Sequence, residues 1–259
     1  MGILMLKLAG PLQSWGAESR FLERKTRHEP TKSGVVGLIA SALGRRREEP
    51  IDDLATLPFA VRIDQAGRYE RDYQTAHTRK YDQRSESWVF DKSLPLSNRY
   101  YLADAVFVAA LEVPDVLLEL YAEALLHPVF PLYLGRRSCS PSEKVLLGCH
   151  DGNDLLATLG CLEWQATRRG LIHGHASEEY VELEVVRDRI DSDGQAVLCD
   201  VVRDVPLSFS QEYRRYGLRA VVHDRVLVKN PHFQGNKAAP PSPHDPMALL
   251  EEVVSHVSD

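Results

Sequence analysis

The sequence predicts an α+β protein, in which a strand–helix–strand–strand–helix–strand core is followed by a smaller β-rich part. Three observations lead there. Between residues 3 and 126, apolar runs of strand length alternate with two helical stretches that carry their own start and stop signals. Residues 68–101 interrupt that pattern with aromatic rings set among cations. From about residue 160 the pattern changes to short β-like runs.

Residues 3–8 (ILMLKL) are nearly all apolar, as in a central strand buried on both faces. A charged connection, residues 9–30, opens with GPLQSWG at 10–16. Thr31 or Ser33 can cap a helix running to about Leu43, with Val35, Val36, Leu38, Ile39, Ala42 and Leu43 on its apolar face. Gly44 is its natural stop. RRREEP at 45–50 reads as a charged turn and Phe59 to Ile63 as a second strand. Residues 101–113 (YLADAVFVAALEV) alternate like a strand, and Asp115 caps a helix over 116–126 that His127-Pro128 ends. PVFPLYLGRRSCSPSEK follows as a loop. This order fits a ferredoxin-like unit over residues 1–150, with a protruding hairpin inserted at about 70–100. The runs at 179–187, 196–202, 205–209 and 218–228 predict a small β-rich domain over 151–230, and residues 231–259 form a Pro-rich tail.

Composition excludes some classes. The 44% apolar fraction of the 259 residues suffices for a sizeable core. No run approaches the roughly 18 apolar residues of a membrane helix. Lys7 inside the first apolar run, with no small-residue cleavage site, reads as no signal peptide. Cys139, Cys149, Cys161 and Cys199 lack paired spacing and fit reduced, buried thiols in a cytoplasmic protein. No metal site is expected: C-x-x-C and H-E-x-x-H are missing, and His173-Gly-His175 alone is weak.

The net charge of −6 hides an asymmetry. Residues 1–47 hold nine Lys/Arg against three Glu, whereas residues 171–259 hold nine against fifteen acids. A basic N-terminal third on an acidic protein is a candidate anion site. A helix N-terminus attracts phosphate through its free N–H groups and dipole, and Lys32 and Ser33 add a cation and a hydroxyl there. The upstream glycines of a nucleotide-binding P-loop are missing. In the 68–101 segment, Tyr69, Tyr73, Tyr81, Trp88 and Phe90 stand among Arg71, Arg79, Lys80, Arg84 and Lys92. Such interleaving suits stacked, unpaired bases, and it equally suits a protein partner. Gly-Arg-Arg in YLGRRSC (133–139) could form a backbone nest with two phosphate-binding forks.

Three stretches, LKLAGPLQSWG, PTKSGVVGLIASALG and PVFPLYLGRRSCSPSE, together resemble the CasD subunits of type I-E CRISPR Cascade complexes, within the RAMP superfamily. SNRYYLADAVFVAAL and RDVPLSFSQEYRRYGLRAV are similar to further stretches, so the resemblance spans roughly residues 3–229. It implies a ferredoxin-like (RRM-like) domain, a thumb hairpin and a small C-terminal β domain. It also implies a non-catalytic, cytoplasmic subunit that holds the 5′ handle of the guide RNA (crRNA). Such a subunit touches the CasC backbone subunit through its thumb, and CasA, while target DNA is held by the whole complex through guide pairing.

On that resemblance, Gln13, Ser14 and Trp15 address bases and sugars, and Lys32 and Ser33 hold phosphate. Arg20, Arg24, Lys25 and Arg27 follow the RNA backbone. Arg136 and Arg137 are a second grip, and Arg79, Lys80, Arg84 and Trp88 of the thumb meet RNA, the neighbouring subunit, or both. The alternative is the metal-independent repeat-cleaving ribonuclease of type I-C relatives, with Tyr73, His77, Lys80, Tyr81 and His28 as candidates for proton transfer.

Overall fold

The computed structural model describes residues 1–16, 23–190, 193 and 197–235. Arg20 and most of the Pro-rich tail (236–259) lie outside the described residues.

The fold is α+β with mostly antiparallel strands. Strand β1 (Gly2–Ala9) leads through the short strands β2 (Leu12–Gln13) and β3 (Glu23–Arg24) to helix α1 (Lys32–Ala42). A single-turn helix α2 (Asp52–Ala55) precedes β4 (Phe59–Gln65). Then come β5 (Arg68–Gln74), β6 (His77–Asp82), β7 (Ser87–Ser93), β8 (Ser97–Ala103) and β9 (Val106–Val113). Helix α3 (Asp115–Leu126), β10 (Leu146–Asp151) and the short helices α4 (Leu155–Cys161) and α5 (Arg169–Gly174) follow. The chain continues with β11 (Tyr180–Asp188), β12 (Asp200–Ser208) and β13 (Arg215–Lys229).

Seven strands form one sheet in the order β10-β1-β9-β4-β11-β13-β12. Each neighbouring pair is antiparallel. The C-terminal strands continue the sheet because Val185–Arg187 of β11 pair with Ala60–Arg62 of β4.

Alternation along the strands sorts the core into two layers. Leu4, Leu6 and Leu8 of β1, with Phe107, Ala109 and Leu111 of β9, pack on Val35, Val36 and Ile39 of α1 and on Tyr121 and Leu125 of α3. The intervening Ile3, Val108 and Ala110 face the other way, onto Leu159 of α4 and Val185 of β11. The buried Arg62 joins β4 to α4: it forms a two-pronged pair with Asp64 and donates to the carbonyls of Leu159, Leu162 and Glu163. The guanidinium thereby satisfies carbonyls at the helix C-terminus, where the dipole favours a cation.

Between β4 and β9 the chain leaves the sheet. Strands β5 and β8 pair along seven residues, and β6 and β7 form a separate two-stranded ribbon beyond them. Tyr81, Trp88 and Phe90 on that ribbon are all more than half exposed.

Local expectations change in four places. The strand over 101–113 divides into β8 and β9, with Asp104 at φ 55° between them. Pro114, not Asp115, stands at the cap of α3, and the Asp115 carboxylate accepts from the N-terminal amine of Met1 at 2.7 Å. The runs at 196–202 and 205–209 contribute to one strand, β12. Of the four free thiols only Cys139 is buried; Cys149 and Cys161 are exposed, so a buried role does not extend to all four.

Candidate nucleic-acid interface

Thr31 caps α1, its hydroxyl accepting from Gly34 N, and Gly44 at φ 77° follows the helix. Gly34 makes room for Trp15: a Cβ there would lie 2.7 Å from Cε3 of the indole. Trp15 is fully buried, and its Nε1 donates to Gln13 Oε1 at 3.0 Å. The Gln13 amide in turn donates to Leu8 O and Ala105 O. Every strong polar capacity of this pair is spent internally, as burial demands. Ser14 is also buried, 3.3 Å from Tyr100 O. The side chains of Gln13 and Trp15 therefore support the loop from inside and do not face a ligand, which corrects the expectation of base and sugar contacts for these two; Ser14, though buried, borders the cleft described below.

Lys32 is corrected in the same way. Its Nζ pairs with Asp188 at 3.0 Å, and its backbone N–H donates to Asp204 Oδ2 at 2.9 Å. The anion at the α1 N-terminus is thus the protein's own carboxylate, brought by β12. Arg219 completes the network, bridging Asp188 and Asp204 at 2.6 Å each.

Several cations that reach solvent gather beside this point. A cleft of about 690 Å³ opens over the Ser33, Gly37 and Ser41 face of α1. Arg24, Lys25, Arg136 and Arg137 line one part of it, and Arg45, Arg46, Arg47 and Arg214 another, with Glu48 the one carboxylate among its lining residues. Of the expected residues, the structure brings together Ser14, Ser33, Arg24, Lys25, Arg136 and Arg137. Arg27 lies outside, half-buried and 3.9 Å from Glu29. Arg79, Lys80, Arg84 and Trp88 are exposed on the separate β6–β7 ribbon.

Gly135 positions the Arg pair. At φ 90° it holds a conformation that favours glycine, and a Cβ there would collide with Ser14 O. The Ser14 N–H donates to Leu134 O, which draws the 133–137 loop onto the end of β2. Arg136 then donates to Tyr100 O and Arg24 O and lies over the Tyr101 ring, 4.6 Å from its centroid. These partners carry no net charge, so none of them offsets the guanidinium whose geometry they fix.

Four cleft cations escaped sequence reasoning. Arg45–Arg47 read as a turn, and Arg214 arrives from the β12–β13 connection. The triple arginine directly after a helix that ends at the cleft was the available signal. Within it Arg45 is spent: its fork holds Asp53 at 2.6 and 2.5 Å, and that hydrogen bonding keeps the Asp53 carboxyl below the usual carboxylate range. Arg46 and Arg47 are exposed.

The CRISPR-associated protein family described as Cas_Cas5 matches residues 3–222. The CRISPR system Cascade subunit CasD of Escherichia coli (strain K12) is 33% identical over 173 residues, covering 58% of this chain and 72% of that protein. A chain of a CRISPR RNA-guided surveillance complex superposes with a TM-score of 0.68 at 31% identity, over 88% of this chain and 91% of the other. A second solved structure, described as a Cas protein, gives 0.60 at 33% identity over 89% and 97%. With the match running from β1 into β13, the chain belongs to the Cas5 family of CRISPR-associated proteins.

Proposed function

We propose that this chain is a non-catalytic crRNA-binding subunit of a type I-E Cascade complex, holding the 5′ handle of the guide in the cleft over α1. The observation that carries the reading is the convergence of Arg24, Lys25, Arg46, Arg47, Arg136, Arg137 and Arg214 on one cleft of an otherwise acidic protein. Phosphates supply most of the affinity for a nucleic-acid strand, and cations from several elements along one groove suit its backbone. The family match, the Cascade subunit relative and the surveillance-complex neighbour support the biological setting. Within that setting we propose the 5′ handle as the ligand, CasC at the thumb and CasA as neighbours, target DNA held by the assembled particle, and a cytoplasmic location. Among the described residues no helix is long and apolar enough to cross a membrane.

The same reading treats β1-α1-β4-β9-α3-β10 as the ferredoxin-like unit. Its support is the neighbour order β10-β1-β9-β4, all antiparallel, with α1 and the one-turn α2 in the first crossover and α3 in the second. Residues 68–103 are then its inserted thumb, and β11–β13 are the small C-terminal β domain joined at β4.

The test uses purified full chain and crRNA. Changing Arg46, Arg47 and Arg137 to Glu should lower the dependence of log K on log salt by roughly one for each phosphate no longer held. Unchanged binding and slope would refute the cleft. Repeat RNA incubated in EDTA checks the non-catalytic part: specific cleavage that His77→Ala abolishes would install the ribonuclease reading instead.

A further inference from the structure

The connection between β12 and β13 joins the cleft to an exposed aromatic ring that the cleft itself does not use. Ser208 pairs with Arg215 at the open end of the two strands, and residues 209–214 form the turn. Phe209 anchors it on α1: a Cβ at Gly37 would stand 3.5 Å from the Phe209 ring. Gln211, Arg214 and Tyr216 face the cleft. Tyr213, between them, is 64% exposed, and the Arg215 guanidinium covers one ring face, 4.5 Å from the centroid.

We propose that Tyr213, held by Arg215, is a stacking platform for one nucleobase at the rim of the cleft. The inference rests on the cleft being an RNA site and adds to it a residue that meets a base. Its logic is geometric. The cation over the inner face fixes the ring, so little rotamer freedom remains to be lost when a base covers the outer face. Unpaired bases are bound on aromatic and guanidinium planes without regard to sequence, because every base has a π-face. Arg214, the next residue, is placed to take the phosphate of the strand whose base the ring receives. A protein partner would also bury an exposed tyrosine, but two adjacent arginines continuous with a basic cleft favour RNA.

A short single-stranded RNA with the guide's 5′ sequence, and a series in which one base at a time is replaced by an abasic site, test the platform on purified full chain. The wild type should lose roughly tenfold in affinity at one abasic position and little elsewhere. Tyr213→Ala should bind the intact RNA roughly tenfold less tightly and lose that positional sensitivity, with its salt slope unchanged. Tyr213→Phe should behave as wild type, and Arg214→Glu should instead lower the salt slope. Tyr213→Ala with wild-type affinity, or with a defect only in assembly with the other subunits, overturns the platform and leaves the cleft standing. Failure of the wild type to bind any RNA of the series overturns both.

Discussion

Lys32 Nζ lies 3.0 Å from Asp188 Oδ2, with both side chains largely withdrawn from water. The pair ties the first turn of α1 to the end of β11, and Asp188 also accepts from Phe59 N and from Arg219. A lysine at a helix start reads as a phosphate ligand from sequence, and here it is a bolt between the two halves of the chain. Removing Asp188 leaves Lys32 buried without its counter-charge and frees one side of Arg219. Asp188→Ala should therefore destabilise the fold by about 3 kcal/mol or more, the cost of breaking a buried pair from one side. Lys32→Met should cost less, because Asp188 keeps Arg219 and Phe59 N. Urea midpoints measure both, and the RNA salt slope of Lys32→Met should equal that of the wild type. A slope reduced by one would return Lys32 to the RNA site.

Trp15 and Gly34 invite the same discrimination. An alanine at 34 puts a methyl group 2.7 Å from the indole, which the packed helix cannot yield without strain. Gly34→Ala should cost ~1–3 kcal/mol as overpacking. Trp15→Phe removes the donor to Gln13 and should lower the thermal midpoint without changing RNA affinity measured well below it. Loss of affinity in a fully folded Trp15→Phe protein would show that the ring meets RNA.

The elements of the first half were legible because each carries its own signal: an apolar run in β1, Thr31 and Gly44 around α1, alternation in β9. The site was legible only by region. Gln13, Ser14 and Lys32 are polar, and polarity in sequence points to the surface. Their actual partners, Leu8 O, Ala105 O, Tyr100 O and Asp188, lie up to 156 residues away, and no local pattern announces them. The same distance hid Arg214, which joins Arg24 and Arg137 only because β12 and β13 extend the N-terminal sheet past α1. Lys25 and Arg137, by contrast, are exposed and line the cleft, and exposure requires no distant partner.

Gly135 separates geometry from charge. Gly135→Ala keeps every cation, yet φ 90° and the collision with Ser14 O force the Arg136–Arg137 loop away from β2. The expected outcome is a loss of crRNA affinity of tenfold or more with the net charge unchanged, alongside ~1–3 kcal/mol of destabilisation for a strained backbone position. Equal affinity in filter binding at matched salt would mean that the loop's position is irrelevant to the cleft.

Trp88 tests the ribbon. A two-stranded hairpin is marginal by itself, and Trp88 there approaches Tyr81 edge-on, ring centroids 5.7 Å apart. At 65% exposure, its replacement should shift the stability of the isolated chain by no more than about 0.5 kcal/mol. Assembly with the other Cascade subunits should suffer, because large exposed rings carry interface energy. Co-purification of Trp88→Ala with the remaining subunits at wild-type stoichiometry would remove the thumb from the interface.

The pH dependence has a definite sign. Hydrogen bonds from Arg187, then from Ile190 N, push the Asp193 carboxyl down to about 2, and the Arg45 fork lowers Asp53 in the same direction. An unfolded aspartate titrates near 3.9. Folding therefore favours the ionised form of both groups. Their contribution is complete above about pH 4 and disappears as the pH falls through the depressed folded values. Asp193→Asn should lower the thermal midpoint at neutral pH and converge on the wild type near pH 2. The neutral-pH loss stays modest because Arg187 retains Asp224 at 2.6 Å. Parallel curves, offset equally at every pH, would mean that the asparagine disturbs packing and that the ion pair contributes nothing to stability.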